Sequence, residues 1–275
     1  MIRHPMIARR YFNRPLALLP VHAALVLEML RGDMPSPAAL LTAPGELAGI
    51  ERRPYELVGG VAIIPVRGVL VQDDACVWWG ESGYDSIAAS FRGAMGDDEV
   101  RAIALHVDSP GGEVSGCDRL AEEIFAARGS KPIWAILDEA AYSAAFWLAA
   151  AADHITVPRT GGTGSIGVVG MHLDITKALD QIGFKVTTIQ FGERKTDTYP
   201  TTPLSETALA KFQADVDAIG EMFVDSVARF RGIAASAVKD TQADTFLGAA
   251  GVAAGLADTC ISPERAFTAL LAQVG

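Results

Sequence analysis

Residues 139–153, EAAYSAAFWLAAAAD, decide how this 275-residue chain folds. An apolar run, Ile133–Leu137, leads into a short turn, and a strong helix former follows from Ala144 to Ala152. Ser143 therefore falls where a buried strand ends and a helix begins. There a hydroxyl can be held rigidly near the positive end of a helix dipole. Two readings of Ser143 stand side by side, a helix N-cap and a nucleophile, and the surrounding chain has to separate them.

Outward from this stretch, strands and helices alternate. Val61–Val71 reads as a strand bent around Pro65 and Gly68. Tyr84–Met95 has Ile87, Ala88 and Phe91 on one helical face. Ala102–Val107 is a strand, followed by the sharp Asp108–Gly112 loop and a helix over Glu113–Arg128. After the Ser143 helix come a short strand at His154–Val157 and a glycine-rich loop, RTGGTGSIG, at 159–167. A helix at Asp174–Gln181, a strand at Lys185–Gln190 and a polar loop at Phe191–Pro203 are expected next. Ser205 should cap one long helix running to Arg231, and two short helices, Phe246–Ala254 and Pro263–Leu271, close the chain. Alternation of this kind predicts an α/β fold with parallel pairing and βαβ crossovers.

Ahead of this body, residues 32–54 carry Pro35, Pro37, Pro44 and Pro54 with three glycines and read as a linker. It separates residues 55–275 from LALLPVHAALVLEML at 16–30. Arg9, Arg10 and Arg14 precede that run, as in a secretion signal. Pro20, His22 and Glu28 interrupt it, and it is too short to span a bilayer. The expectation is an amphipathic N-terminal helix and no stable membrane anchor. A net charge of −10 argues against nucleic acid as a partner. Cys76, Cys117 and Cys260 have neither CxxC spacing nor a close histidine, and read as reduced thiols.

Three features could carry chemistry. In SPGG at 109–112, proline fixes one φ and the glycines open conformations closed to other residues, so the Gly111 and Gly112 amides can point into a cleft as an oxyanion hole. The same motif is also an ordinary turn. Lys195, in FGERKTDTY, is a solvated charge unless burial favours its neutral form. His106, His154 and His172 read first as structural, and none forms a triad with an acid in the sequence. There is no HExxH, P-loop or dinucleotide fingerprint.

Taken in order, VRGVL, GYDSI, HVDSPGG, KPIWAILDEAAYSAAFWLAAAADHI, TGSIGVVG and FKVTTIQFGERKT resemble the signal peptide peptidase A family of serine proteases. The match covers about residues 58–260, with GLAD at 255–258 near its end. The resemblance implies a ClpP/crotonase-like spiral of βαβ units, with Ser143 as nucleophile and Lys195, about fifty residues on, as its base. It implies Gly112 with Gly111 at the oxyanion, Ser165 accepting a hydrogen bond from Lys195, and no metal or organic cofactor. Where family members have Ala-Ser-Gly-Gly, this chain has Tyr-Ser-Ala-Ala at 142–145, so the backbone at Ala144, a further oxyanion donor, is less free. An apolar N-terminal stretch and a proline-rich linker resemble the bacteriophage head-maturation and scaffold-processing branch. That branch implies a polypeptide substrate such as a capsid or scaffold protein, a homo-oligomer, and residence in the host cytoplasm or procapsid. A signal-peptide-degrading cellular protease, a crotonase-type hydratase and an inactive assembly component are the competing readings.

Overall fold

The computed structural model describes residues 15–18, 53–73 and 81–275. Four parallel strands form its spine: β3 (Val61–Arg67), β6 (Ala102–Ser109), β8 (Ile133–Ala141) and β9 (His154–Val157). β3 pairs with β6, β6 with β8, and the first half of β8 with β9. The end of β8 pairs instead with β10 (Gly162–Gly164), through Ala140 and Gly162. Antiparallel β2 (Glu56–Val58) and β12 (Thr245–Leu247) form the edges, and β13 (Thr259–Cys260) extends β9.

The spine is buried on both faces, which is why its strands read as nearly continuous apolar runs rather than alternating ones. Three helices lie on one face: α1 (Tyr84–Gly96), α2 (Cys117–Ala126) and α3 (Ala144–Ala150). They share a core with Ile64, Val66, Ile103, Leu105, Ile133 and Leu137. Further along the chain come α4 (Thr176–Gln181), α5 (Glu206–Arg231), α6 (Ala235–Asp240), α7 (Ala249–Ala253) and α8 (Pro263–Val274). On the opposite face of the spine, α8 sets Ala266 and Leu270 against Val61, Ala102, Ala104 and Ile136. The α/β class and the progression of βαβ units are as expected.

The helix α3 is wholly buried, and α2 and α5 pack against it. Its Trp147 indole stacks on Phe223 of α5, with ring centroids 4.2 Å apart and planes 5° off parallel. Arg128 closes the far end, where the last carbonyls of a helix lack intrahelical donors. Its guanidinium donates to the Ala150, Ala151 and Ala152 carbonyls at 2.9, 2.9 and 2.5 Å, and to Phe230 O of α5 at 3.0 Å. One cation thus offsets the negative ends of two helices.

A smaller sheet crosses the end of the spine in the order β11 (Val169–Gly170), β1 (Pro15–Leu18), β7 (Gly111–Glu113), β4 (Leu70–Val71), β5 (Ser82–Gly83). Four sequence expectations change here. Residues 16–18 are strand rather than helix, because their backbone pairs with β7 and β11; the rest of the expected 16–30 helix and most of the 32–54 linker lie outside the described residues. The helix expected from Glu113 begins at Cys117, since residues 111–113 belong to the sheet. Phe246 and Leu247, the expected start of a helix, pair with β10 as β12. Residues 185–190 form no strand; Val186 and Ile189 face solvent, with no strand among the described residues to complete a ladder. By contrast, α5 is capped as anticipated, Ser205 Oγ accepting from Ala208 N at 3.2 Å. Cys117 is a buried free thiol and Cys260 a partly buried one, while Cys76 lies outside the described residues. Among the described residues no helix is long and apolar enough to cross a membrane.

Candidate active site

Ser143 sits at the junction of β8 and α3 with φ 54° and ψ −122°. Its neighbours close a tight turn: Ala145 N donates to Tyr142 O at 3.0 Å, and Trp147 N to Ser143 O at 2.9 Å. These torsions are those of the first central position of a type II′ turn, which ordinarily calls for glycine. A side-chain-bearing residue held there costs on the order of 1–3 kcal/mol, so the surrounding structure must over-determine it. It does so on both sides. Ser143 N donates to Gly164 O at 2.9 Å, fastening the turn to β10, and α3 is immobilised by its burial.

This geometry bears on the cap reading of Ser143. An N-cap serine has extended torsions and accepts from an amide two or three residues on. Ser143 has neither the torsions nor a side-chain capping bond. Its Oγ instead reaches the Gly167 carbonyl, as donor, at 3.5 Å, and the residue is 1% exposed. Ser143 is thus a strained, uncapped residue at a strand-to-helix turn.

Gly111 lies directly against it, and Gly112 follows against the Leu70 backbone. A methyl group on Gly111, whose φ is 101°, would stand 2.9 Å from Ser143 Cβ and 3.0 Å from Tyr142 O. Ser109 holds the approach together. Its Oγ donates to Gly68 O at 2.6 Å and accepts from Gly111 N at 3.2 Å, while its carbonyl accepts from Tyr142 N at 3.1 Å. The Gly111 amide is therefore already engaged, and Gly112 follows it in β7, between β1 and β4. Ala144, the first residue of α3, is fully buried beside Ser143. Ser165 follows Gly164 with φ 55° and is 6% exposed, its amide donating to Asp244 O at 2.8 Å.

Ser143, Gly111, Gly112, Ala144 and Ser165 are thus gathered at one end of the spine. Lys195 is not. It sits exposed in the turn at 192–199, its backbone amide donating to Gly192 O at 3.2 Å, with no hydrogen bond to Ser143 or Ser165. Two contributors escape a reading of the sequence. Ser109 reads only as part of a turn, although a hydroxyl just before Pro-Gly-Gly is the sort of group that locks such a loop. The Gly164 carbonyl leaves no signal, because its role comes from strand pairing. Among the described residues no cluster of histidine, cysteine or carboxylate side chains could hold a metal ion.

Comparison with known proteins bears on the same region. The profile of peptidase family S49 matches residues 126–275, more than half of the chain, from the end of α2 through Ser143 to the C-terminal helix. The head-tail preconnector protein GP5 of Enterobacteria phage P21 is 35% identical over 94% of this chain, and capsid assembly protease C of Escherichia phage lambda is 33% identical over 97%. The chain spans 55% and 65% of those two relatives' own lengths. Protease 4 of Salmonella typhi is 29% identical over 58% of the chain and 24% of that relative. Among solved structures, a ClpP1 variant from Listeria monocytogenes aligns with a TM-score of 0.47 and 10% identity, covering 73% of this chain and 91% of that one. The strained serine is thus embedded in a sequence match that runs through the whole second half of the fold, and this chain belongs to peptidase family S49.

Proposed function

We propose that this chain is a serine endopeptidase in which Ser143 is the nucleophile and Lys195 its general base, acting on capsid or scaffold polypeptides of a phage. The observation that carries the reading is the backbone of Ser143: a non-glycine residue at φ 54°, with no capping bond, beside two glycines that admit no side chain. In this reading Ser143 Oγ attacks a peptide carbonyl, and the Gly112 amide, with that of Ala144, stabilises the developing oxyanion. Neutral Lys195 takes the hydroxyl proton and passes it to the leaving amine. Water then hydrolyses the acyl-enzyme. The substrate class follows the names of the two phage relatives, a capsid assembly protease and a head-tail preconnector protein.

The exposed position of Lys195 fits this reading if assembly completes the site. The segment before it leaves Ile182, Phe184, Val186, Ile189 and Phe191 in solvent, the last two 96% and 100% exposed. Each such side chain forgoes about 1.5–3 kcal/mol of burial. A homo-oligomer that covers this segment would desolvate Lys195, and desolvation favours the neutral amine that a base requires.

The test is reaction with a fluorophosphonate, together with peptide cleavage, for the wild type and Ser143→Ala. We expect labelling and cleavage only in the wild type. A crotonase-type hydratase or an inactive assembly component should not label. Equal cleavage by Ser143→Ala would remove the nucleophile assignment.

A further inference from the structure

The strand β1 lies in the groove beside the nucleophile. It runs antiparallel to β7 on one side, with Leu16 opposite Glu113, Ala17 opposite Gly112 and Leu18 opposite Gly111. On its other side it runs antiparallel to β11, with Pro15 opposite Gly170 and Leu16 opposite Val169. An extended segment held by main-chain pairing on both edges is bound as a peptide is bound in strand addition. Two observations fix which bond is presented. Ala17 is fully buried. A methyl group on Gly111 would stand 2.4 Å from the Ala17 carbonyl oxygen and 2.9 Å from Ser143 Cβ, so that carbonyl and the Ser143 side chain converge on one point. Ala17 is also paired with Gly112, the glycine assigned to the oxyanion in the proposed chemistry.

We infer that residues 15–18 are bound as a substrate strand and that the chain cuts itself between Ala17 and Leu18. The inference rests on the proposed Ser143 chemistry. Ser143 Oγ bonds to the Ala17 carbonyl carbon while its proton passes to the base, and the carbonyl electrons move onto oxygen, held by the Gly112 amide. Collapse breaks the Ala17–Leu18 C–N bond, and the base delivers that proton to the Leu18 nitrogen, which leaves as an amine. One water then adds to the Ala17 ester, its proton going to the base. The C–Oγ bond breaks and Oγ is reprotonated. The products are a segment ending in the Ala17 carboxylate and a chain beginning at Leu18. One water is consumed and no oxidant, reductant or cofactor is involved. Departure of the released segment opens the groove between β7 and β11 to other peptides.

The experiment follows the intact mass of the purified 275-residue chain over time, as wild type, Ser143→Ala, Ala17→Gly and Ala17→Arg. In parallel, wild-type labelling by a fluorophosphonate and cleavage of casein are measured. The wild type should lose residues 1–17 and yield Leu18 as its new amino terminus. Ser143→Ala should stay intact. Ala17→Gly should still be cut, and Ala17→Arg should be cut at least tenfold more slowly. If the wild type labels and digests casein but remains joined at Ala17–Leu18, self-cleavage is wrong and the protease reading survives. A chain that neither labels nor digests casein overturns both. Loss of residues 1–17 from Ser143→Ala, or a wild-type cut at a different bond, also overturns the inference.

Discussion

Replacing Gly112 with alanine tests whether the glycine pair exists to bring a backbone amide to the nucleophile. A Cβ on Gly112 would lie 1.9 Å from Leu70 O and 2.6 Å from both Leu70 C and Leu70 N. All three are backbone atoms of β4, so no side-chain rotation relieves the contact. β7 and β4 must separate by about 1 Å before the methyl reaches a tolerable distance, and a displacement of about that size at a reacting centre can cost around 100-fold in rate. Complete loss of one oxyanion donor costs about 10²–10³, or roughly 2.7–4 kcal/mol, which sets the ceiling. The overpacking itself should destabilise the fold by about 1–3 kcal/mol. The assay is kcat/KM on a peptide substrate alongside urea unfolding, with Gly220→Ala as control. Gly220 lies inside α5, and a methyl group there would meet nothing within 4 Å. That variant should gain about 0.5–1 kcal/mol of stability and keep its activity. If Gly112→Ala retains at least a third of wild-type kcat/KM and unfolds at the wild-type urea midpoint, the glycine is not positioning a donor.

Three further outcomes are expected. Lys195→Arg and Lys195→Ala should both lose activity by about 10²–10⁴, because arginine keeps the charge but cannot act as a base; substantial cleavage by the arginine variant would sink the dyad. Trp147→Ala removes the indole stacked on Phe223 and should cost about 3–5 kcal/mol in urea unfolding; a loss below about 1 kcal/mol would mean that α3 is not held by that contact. Burial holds the His154 imidazole below its ordinary value of 6.5, assisted by Arg231 and outweighing the opposing Asp258 carboxylate. The unfolded chain therefore takes up that proton first, and stability should fall as pH drops from about 6.5 towards the folded value. Asp258 is itself held low: burial would raise it, but hydrogen bonds from Arg231 and Ile155 N, with the nearby Arg231 and His154 charges, prevail. Its contribution should thus stay constant across this range. Comparing wild type and His154→Gln by urea unfolding at pH 7.5 and 5.5 checks the sign; a wild type that gains stability at the lower pH would contradict it.

Much of the body was legible because its causes are local. The runs of β3, β6 and β8, the amphipathic face of α1 and the Ser205 cap of α5 are each set by residues within a few positions of one another, and they emerge as read. Ser143 could be located at a strand-to-helix junction by the same means. What sets Ser143 apart from an ordinary cap was not local. The torsions of 54° and −122° are imposed by the Gly164 carbonyl from another strand and by the burial of α3, neither of which leaves a pattern around position 143.

Pairing across the chain decided the remaining features. LALL at 16–19 is as compatible with a helix as with a strand, and residues 16–18 became strand because β7 and β11 offer two open edges there. The reverse happened at 185–190, where a fair strand pattern finds no edge among the described residues. Lys195 shows the same division. Its place in the sequence could be read along the chain, whereas its exposure, apart from Ser143, is set by the fold. The sequence by itself determined the α/β class, the βαβ order and the serine at the head of α3, since periodicity and turn chemistry act over a few residues. Only the tertiary structure decided the strained conformation of that serine, the glycine packed against its side chain and the strand of the chain's own residues paired beside it. Each of these depends on hydrogen bonds between segments far apart in the sequence.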